Sequence, residues 1–319
     1  GGTYTGGANI FAGQLTDMTG SSTKLQIGNL SSVNSQWTIT GNNSHSGGTT
    51  INSSGSGATL NIGSANALGT GPLFVGNNCN LDNTTGGDLA VNNALALTNG
   101  ILTYLGSANN MTINGAVTLS NASRTITVNA KALALGGVVG EDATPRSLTK
   151  AGAGTLLLLG ANTYSGGTII GSTGTLMLTN DAALGSSTAG LTFSASGVLA
   201  STNNGQLPPN STTTISSART ITVNSGVTAN FHTPDTNHLT VASYITGAGG
   251  VTRKGSSFAN GTVRFSNDAN DYTGEFGVGN GHTEFTSVAN QGTASALGKG
   301  TTGIITINNT LSSGFLTYV

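Results

Sequence analysis

The sequence predicts an all-β protein that folds as a right-handed parallel β-helix, which is a solenoid of short strands. A long repeat is the first observation, because the triplet Ala-Leu-Gly occurs at Ala67–Gly69, Ala183–Gly185 and Ala296–Gly298, about 115 residues apart. Apolar residues also come in short pulses, each ended by Gly, Asn, Ser or Thr and too short for a helix. These pulses recur every ~7–12 residues, which is the strand spacing of all-β folds.

Composition separates a folded chain from a low-complexity coil. The 319 residues include 50 Gly, and only 7% of them are charged. However, 36% are hydrophobic, and they alternate with polar residues, which a disordered chain does not need. The net charge of −1 gives no electrostatic footprint for nucleic acid, and no apolar run is long enough to span a bilayer. We therefore expect no nucleic-acid partner and no transmembrane segment in this piece.

The clearest copy of the long repeat runs from Leu148 to Ser187. Its apolar pulses are Leu156–Leu159, Ile169 with Ile170, Leu176 with Leu178, and Leu184. Two degraded copies begin at Trp37 and at Thr262. Together these copies predict one continuous β-helix over residues 1–319, with long repeats at approximately 1–69, 70–185 and 186–298 and the start of another at 299–319.

A finer repeat fixes which side chains face the interior. The segment Arg124–Asn129 recurs letter for letter as Arg219–Asn224, and in both copies β-branched apolar residues alternate with Thr. This alternation is typical of a strand with one buried face. The residues predicted to point inward are Ile126, Val128, Leu133, Leu156, Leu158, Ile169, Leu176, Ile221 and Val223.

The strand length favours a β-helix over a row of sandwiches. Three tandem sandwiches of roughly 100 residues each would need linkers, and no Pro-rich or charge-rich break separates the copies. Three short strands fit one coil of roughly 20–25 residues, and each coil adds one strand spacing of about 4.8 Å. The abundant Asn residues are expected to form ladders in which side-chain amides bond from coil to coil.

The best-preserved copy resembles a known family. Its pattern is Leu148-x-Lys150-x-Gly152-x-Gly154-Thr155-Leu156, then Gly160-x-Asn162-Thr163-Tyr164-Ser165-Gly166-Gly167-Thr168, then Gly174-Thr175-Leu176. This is similar to the autotransporter-associated β-strand repeat, also called the passenger-associated transport repeat, of type V secretion passengers. The resemblance implies a β-helical passenger that is secreted or exposed on the bacterial surface, and it implies no catalytic residues.

The other copies keep part of this pattern. The Thr262 copy keeps Asn270, Tyr272 and Gly274, whereas the Trp37 copy keeps Asn43 but has His45 in place of the expected Tyr. In this turn we expect the Asn side chain to bond its own backbone and the Tyr ring to lie over the flank of the coil.

Two short motifs resemble metal sites. His232, His238 and Asp235 between them offer two imidazoles and a carboxylate, but a polar loop bent by Pro234 is the simpler interpretation. The segment Asp268–Asp271 resembles a calcium loop, although the spacing and the terminal Glu of an EF-hand are missing. We predict no metal-binding residue in either segment.

A carbohydrate-active β-helix enzyme, a polysaccharide lyase or hydrolase, is the alternative function. Such enzymes need clustered carboxylates, and the closest group here runs from Asp268 to Glu284, beside His282 and Arg264. Chance clustering within a degenerate repeat is the simpler interpretation. The sequence therefore predicts no catalytic residue, no cofactor and no enzymatic activity.

The expected function is that of an adhesin-like or structural protein, extracellular or on the outer cell surface. The expected partners are surface glycans or host and matrix proteins, and the chain itself. End-to-end contact is expected because a solenoid has two open edges and the low net charge opposes stacking only weakly. It would continue, covalently or by stacking, into a longer filament.

Overall fold

The computed structural model describes residues 9–29, 35–53, 57–201, 210–234, 236–255, 261–300, 305–307 and 314–319. Throughout these residues the named strands pair in parallel and stack coil upon coil as a β-solenoid, so the predicted fold class is confirmed. The chain divides into two compact units, Gly1–Arg146 and Ser147–Val319. No helix in the described ranges is both long and apolar enough to cross a membrane.

Unit 1 is built from short strands that form three stacks. The strands described in it are β1 (Asn9–Phe11), β2 (Leu25–Asn29), β3 (Ser35–Ile39), β4 (Thr49–Ser53), β5 (Ala58–Ile62), β6 (Leu73–Val75), β7 (Cys79–Asn83), β8 (Leu89–Val91), β9 (Leu95–Leu97), β10 (Ile101–Tyr104), β11 (Met111–Ile113), β12 (Val117–Leu119), β13 (Arg124–Val128), β14 (Ala132–Leu135) and β15 (Val139–Glu141). The stacks run β1-β3-β5-β7-β10-β13, β2-β4-β6-β9-β12-β15 and β8-β11-β14.

Unit 2 has the same construction. The strands described in it are β16 (Leu148–Ala151), β17 (Thr155–Leu158), β18 (Thr168–Ile170), β19 (Thr175–Leu178), β20 (Leu191–Phe193), β21 (Val198–Ser201), β22 (Thr212–Ile215), β23 (Thr220–Val223), β24 (Thr228–His232), β25 (His238–Val241), β26 (Tyr244–Gly247), β27 (Gly250–Arg253), β28 (Thr262–Phe265), β29 (Phe276–Val278), β30 (Gly281–Phe285), β31 (Ile305–Ile307) and β32 (Gly314–Tyr318). Its stacks run β16-β18-β20-β23-β26, β17-β19-β21-β24-β27-β29-β31 and β22-β25-β28-β30-β32. A four-residue 3₁₀ helix, Asp181–Leu184, follows β19.

The coil length agrees with the prediction. Leu89, Met111 and Leu133 pair in register on successive coils, so one coil there takes 22 residues. In these coils each of three sides carries a strand. Where the recurring Asn-x-aromatic pattern occurs, a corner segment takes the place of the third strand, as between β3 and β4 and between β17 and β18. The repeat motif is therefore a corner of the solenoid.

The predicted inward positions are confirmed with one exception. Eight of the nine side chains are fully buried, namely those of Ile126, Val128, Leu133, Leu156, Leu158, Leu176, Ile221 and Val223. Ile169 is the wrong one, because Thr168 and Ile170 face the interior and Ile169 faces outward, in register with Thr149 and Thr192. The inward face of this strand differs from the prediction because the hydroxyl of Thr168 has two hydrogen-bonding partners inside the solenoid.

Amide ladders do form between coils, as expected. The Nδ2 of Asn114 donates to the Oδ1 of Asn92 at 3.0 Å, and Asn66 donates to Asn42 in the same way. Inside unit 2 the core is filled by aromatic rings. Phe193, Phe231, Phe265 and Phe276 follow one another with ring centroids 5.7, 5.5 and 5.3 Å apart, within the range of favourable aromatic pairs.

Candidate functional site

The corner of each long repeat is organised by one buried asparagine. In the first copy, the backbone N–H of Leu15 donates to the Oδ1 of Asn43 at 2.8 Å, and the Nδ2 of Asn43 donates to the carbonyl of Ala67 at 2.6 Å. Leu15 and Ala67 lie on the coils before and after the corner. The side chain of Asn43 is 4% exposed, so it satisfies two backbone groups that would otherwise be costly to bury.

The other copies repeat this bridge. Asn162 donates to the carbonyl of Ala183 at 2.6 Å, and Asn270 donates to that of Ala296 at 3.0 Å while accepting from the N–H of Ile245. The prediction that this Asn bonds its own backbone is therefore wrong, because its amide spans adjacent coils. In every copy the bridge ends at the Ala-Leu-Gly triplet, because the acceptor is the backbone carbonyl of its alanine.

The aromatic residue of the corner lies inside the solenoid, and not over its flank as the sequence suggested. The side chain of Tyr164 is fully buried, and its hydroxyl lies 2.6 Å from the Oγ1 of Thr168. The hydroxyl of Thr168 in turn donates to the carbonyl of Leu184 at 3.1 Å. Burial raises the pKa of the Tyr164 phenol well above its usual range, so the phenol stays neutral and donates.

His45 replaces this tyrosine in the first copy and makes the same chain of bonds. Its Nε2 lies 3.0 Å from the Oγ1 of Thr49, which donates to the carbonyl of Leu68. Because the Thr49 hydrogen is used on Leu68, Nε2 must carry the proton of the neutral imidazole. The Nδ1 is buried without a hydrogen-bond partner, and burial lowers the pKa of the ring.

The glycine of each triplet makes room for that ring. At Gly185 an added Cβ would meet the carbonyl oxygen of Tyr164 at 2.4 Å and its ring at 2.9 Å, and the residue has φ of 87°. Gly69 lies in the same way against His45, and Gly298 against Tyr272. Only glycine fits here, so the Asn, the ring and the triplet form a single packing unit.

Buried cationic side chains that donate to backbone carbonyls are a second feature of the interior, and the sequence did not reveal it. Lys150 is fully buried, and its Nζ donates to the carbonyls of Ala151 and Gly152. Desolvation lowers its pKa to about 8. Arg253 occupies the corresponding position of the later copy and donates to the carbonyls of Asn280 and Gly261, and its pKa falls to about 10 for the same reason.

The arginines that open the finer repeat are also buried. Arg219 forms an ion pair with Asp181, Nε to Oδ1 3.1 Å, and donates to four backbone carbonyls nearby. Arg124 donates to the carbonyls of Ser120 and Thr98. The guanidinium groups therefore hold turn carbonyls that have no strand partner, which is why an Arg precedes the Thr-Ile-Thr-Val strand in both copies.

The structure does not bring the residues of the two motifs that resemble metal sites together as a set of ligands. The Nδ1 of His232 lies 2.8 Å from the carbonyl of Lys254 on one stack, whereas His238 lies on β25 of another stack. Asp235 lies outside the described residues. In the calcium-like segment, the amide of Asn270 is turned into the core, so it is not available to a cation. Across the described ranges, no group of three or more His, Cys, Asp or Glu is placed to hold a metal.

The residues weighed for hydrolysis are partly brought together. Arg264 and Glu284 are register neighbours on the outer face of β28 and β30. The ring of His282 lies on the same face, 3.9 Å from the Glu284 carboxylate, with Nε2 2.8 Å from the hydroxyl of Thr317. Asp268 is not in this group, because it accepts from Thr286 at the following corner, and hydrogen bonds from Ser287 and Thr286 hold its pKa below the usual range.

An open groove of about 580 Å³ lies on the outer face of β24, β27, β29 and β31 in unit 2. It exists because outward positions that carry side chains on other strands are here small, as where Thr252 pairs with Gly277. Exposed Lys254 and Glu275 lie among its lining residues. The lining can therefore offer an exposed cation, an exposed carboxylate and threonine hydroxyls.

Comparison with known proteins places these corners in a family context. Residues 35–56 and 148–178 match the passenger-associated-transport-repeat family, so the predicted resemblance is confirmed for two of the three copies. The chain is also 35% identical, over 159 residues, to the adhesin BmaC autotransporter of Brucella suis biovar 1 (strain 1330). That match covers 49% of this chain but only 4% of the relative. No solved structure matches the chain.

Proposed function

We propose that this chain is a piece of an adhesin-like passenger displayed on the bacterial surface, and that it has no catalytic activity. The observation that carries this proposal is the corner unit itself. The segments that match the passenger repeat contain Asn43 with His45 and Asn162 with Tyr164, and the identity to an autotransporter adhesin points the same way. In such a protein the solenoid is the part that is secreted, and we propose that its outer faces bind the partner.

The groove beside Lys254 and Glu275 is the proposed contact surface, and its partner is a surface glycan or a matrix protein. A polar groove with groups of both charge signs and with hydroxyls suits a ligand that is rich in hydrogen-bonding groups. We expect the purified chain to bind saturably to a panel of immobilised matrix proteins and glycans. Binding should fall in the double variant Lys254→Ser/Glu275→Ser and persist in Lys24→Ser, which removes an exposed cation from unit 1. Equal binding by all three proteins would exclude the groove.

Display on the surface is tested separately. On intact cells that make the parent protein, an antibody against this chain should bind, and added protease should remove the signal. A signal that appears only after lysis would contradict the proposed location.

Absence of catalysis is supported by the way the acidic residues are engaged, as at Asp268. Incubation with acidic and neutral polysaccharides should release no reducing ends. Release that is abolished by Asp268→Ala or Glu284→Ala would replace this proposal by the carbohydrate-active enzyme.

End-to-end association stays a prediction of the same proposal. The net charge of −1 provides little repulsion between copies. Sedimentation should show a concentration-dependent increase in mass, and a monomer at all concentrations would exclude stacking of this piece.

A further inference from the structure

Asn-Gly pairs are places where a protein backbone can rearrange spontaneously. The nitrogen of the glycine can attack the side-chain carbonyl carbon of the asparagine, since glycine has no side chain to hinder it. Three such pairs lie wholly within the described ranges, namely Asn99-Gly100, Asn114-Gly115 and Asn280-Gly281. They differ in how the asparagine amide is held.

Asn99 lies exposed at the corner between β9 and β10. The backbone N–H of Gly100 donates to the Oδ1 of Asn99 at 3.1 Å, so the attacking nitrogen already lies against the group that it would attack. No described residue bonds to the Nδ2 of Asn99, which is the leaving group. Gly100 has φ of 60°, and an added Cβ would meet the backbone nitrogen of Asn78 at 2.6 Å, so the fold itself requires glycine at this position.

The other two asparagines make contacts with neighbouring coils. The Nδ2 of Asn114 donates to the Oδ1 of Asn92 as one rung of an amide ladder, which holds its carboxamide to the neighbouring coil. Asn280 is half-buried, and its backbone carbonyl accepts from the guanidinium of Arg253. That guanidinium also packs against Gly281, where an added Cβ would meet it.

We propose that Asn99 is a site of spontaneous deamidation in the folded protein. The Gly100 nitrogen forms a bond to Cγ of Asn99 and loses its proton to solvent. The Cγ–Nδ2 bond breaks, and the leaving nitrogen keeps the electron pair, takes up a proton from solvent and departs as ammonia. Water then opens the cyclic imide at either carbonyl, which gives an aspartyl or an isoaspartyl residue. One water is consumed, one ammonia is released, and nothing is oxidised or reduced.

The product changes a corner that already carries an arginine. The Nη2 of Arg124 and the Nδ2 of Asn121 both donate to the carbonyl of Thr98, at 2.9 Å each. A new carboxylate at residue 99 would belong to the residue that follows Thr98, whose carbonyl accepts from the Arg124 guanidinium. The positive charge of that guanidinium would favour the aspartyl product. The isoaspartyl product adds one methylene to the backbone and would displace the Thr98 carbonyl from both donors.

Peptide mapping by mass spectrometry tests the proposal. The intact folded chain is aged at mildly alkaline pH, and isoaspartate is labelled with a carboxyl methyltransferase. We expect conversion at Asn99 to be about tenfold or more faster than at Asn114 or Asn280, since fixed orientation of reacting groups commonly contributes such factors. In guanidinium chloride the three rates should converge.

Equal rates at the three sites in the folded chain would overturn the proposal. The same ratio in the folded and the denatured chain would also overturn it, because local sequence would then explain the preference. Asn99→Gln serves as the matched control, since a six-membered imide forms far more slowly, and conversion at residue 99 should be lost while Asn114 is unaffected. Asn99→Asp gives the reference for the aspartyl product.

Discussion

The hydroxyl of Tyr164 lies 2.6 Å from that of Thr168, whereas the equivalent hydroxyl of Tyr272 is buried without a partner. The reason is one residue. Four positions after the ring the chain has Thr168 in one copy and Phe276 in the other, and Phe276 cannot hydrogen-bond a phenol. The same corner therefore contains a satisfied tyrosine and an unsatisfied one.

Removing each phenol oxygen should have a different effect on stability. Tyr164→Phe should lower the free energy of unfolding by about 1 kcal/mol, because a buried hydrogen bond is lost. Tyr272→Phe should leave it unchanged or raise it by up to about 1 kcal/mol, because a buried hydroxyl without a partner is removed. Denaturant unfolding of both variants measures this. A double-mutant cycle of Tyr164→Phe with Thr168→Val should show coupling; additive effects would contradict the bond.

The asparagine bridge should be worth more than a surface amide. Asn43→Ala leaves the N–H of Leu15 and the carbonyl of Ala67 without their partner, so unfolding should become easier by about 2–4 kcal/mol. Its neighbour Asn42 is exposed and only accepts from Asn66, so Asn42→Ala should cost less than about 1 kcal/mol. Similar losses in the two variants would show that the bridge is not the main contribution of the corner.

Acid should weaken the first corner through His45. Burial holds the pKa of the folded imidazole below its ordinary value of 6.5, although the nearby Asp17 partly opposes this, so on acidification the unfolded chain binds the proton first. Stability should therefore fall as the pH is lowered from 6.5 through the folded pKa, and be restored above 6.5. Hydrogen exchange of β4, which begins at Thr49, measures the local loss.

The variant His45→Tyr places at this corner the ring found in the other copies, opposite the same threonine. The free energy of opening of β4, obtained after the observed exchange is corrected for the intrinsic rate at each pH, should then no longer depend on pH between neutral and mildly acidic conditions. If the acid sensitivity persists in this variant, its source is Asp17 or another group.

Lys150 should make stability rise with pH on the alkaline side. Its folded pKa of about 8 lies below the ordinary 10.5, so in that window the unfolded chain binds a proton that the folded chain does not. The rise should be of the order of 2–3 kcal/mol over the whole window. Lys150→Met should remove it, and the exposed control Lys24→Met should not.

The thiol of Cys79 titrates in an overlapping range with the opposite sign, because burial raises its pKa to about 11. The quantity to measure is therefore the difference in unfolding free energy between the parent and Lys150→Met at each pH, in which the Cys79 contribution cancels. A difference that does not vary with pH would show that Lys150 is not buried as described.

The register of β18 predicts unequal effects at adjacent isoleucines. Ile170→Thr should cost about 2 kcal/mol or more, because it removes buried methyl groups and inserts a hydroxyl into the core. Ile169→Thr should change stability by less than about 0.5 kcal/mol, since its column on the outer face already contains Thr149 and Thr192. Equal costs would restore the register that the sequence alone suggested.

The sequence by itself determined the fold class, the coil length and nearly every inward position. These follow from short apolar pulses and from alternation with a period of two residues. Both are local patterns, because any single strand with one buried face has apolar residues at every second position, as Ile126 and Val128 do. The sequence also identified the repeat family, since the pattern over Leu148–Leu156, Gly160–Thr168 and Gly174–Leu176 is visible in the sequence itself.

Only the tertiary structure decided what those letters do. The partner of Asn162 is Ala183, 21 residues away on the next coil, and no local rule connects the two. Tyr164 could have covered the flank, but Gly185 on the neighbouring coil leaves room for it inside. Hydrophobicity alone assigns Ile169 to the core, but the structure places Thr168 there and turns Ile169 outward. A threonine can occupy a core position when its hydroxyl has two buried hydrogen-bonding partners, as that of Thr168 does. Local pattern fixes which face of a strand is buried, whereas contacts between coils fix how polar groups are satisfied there.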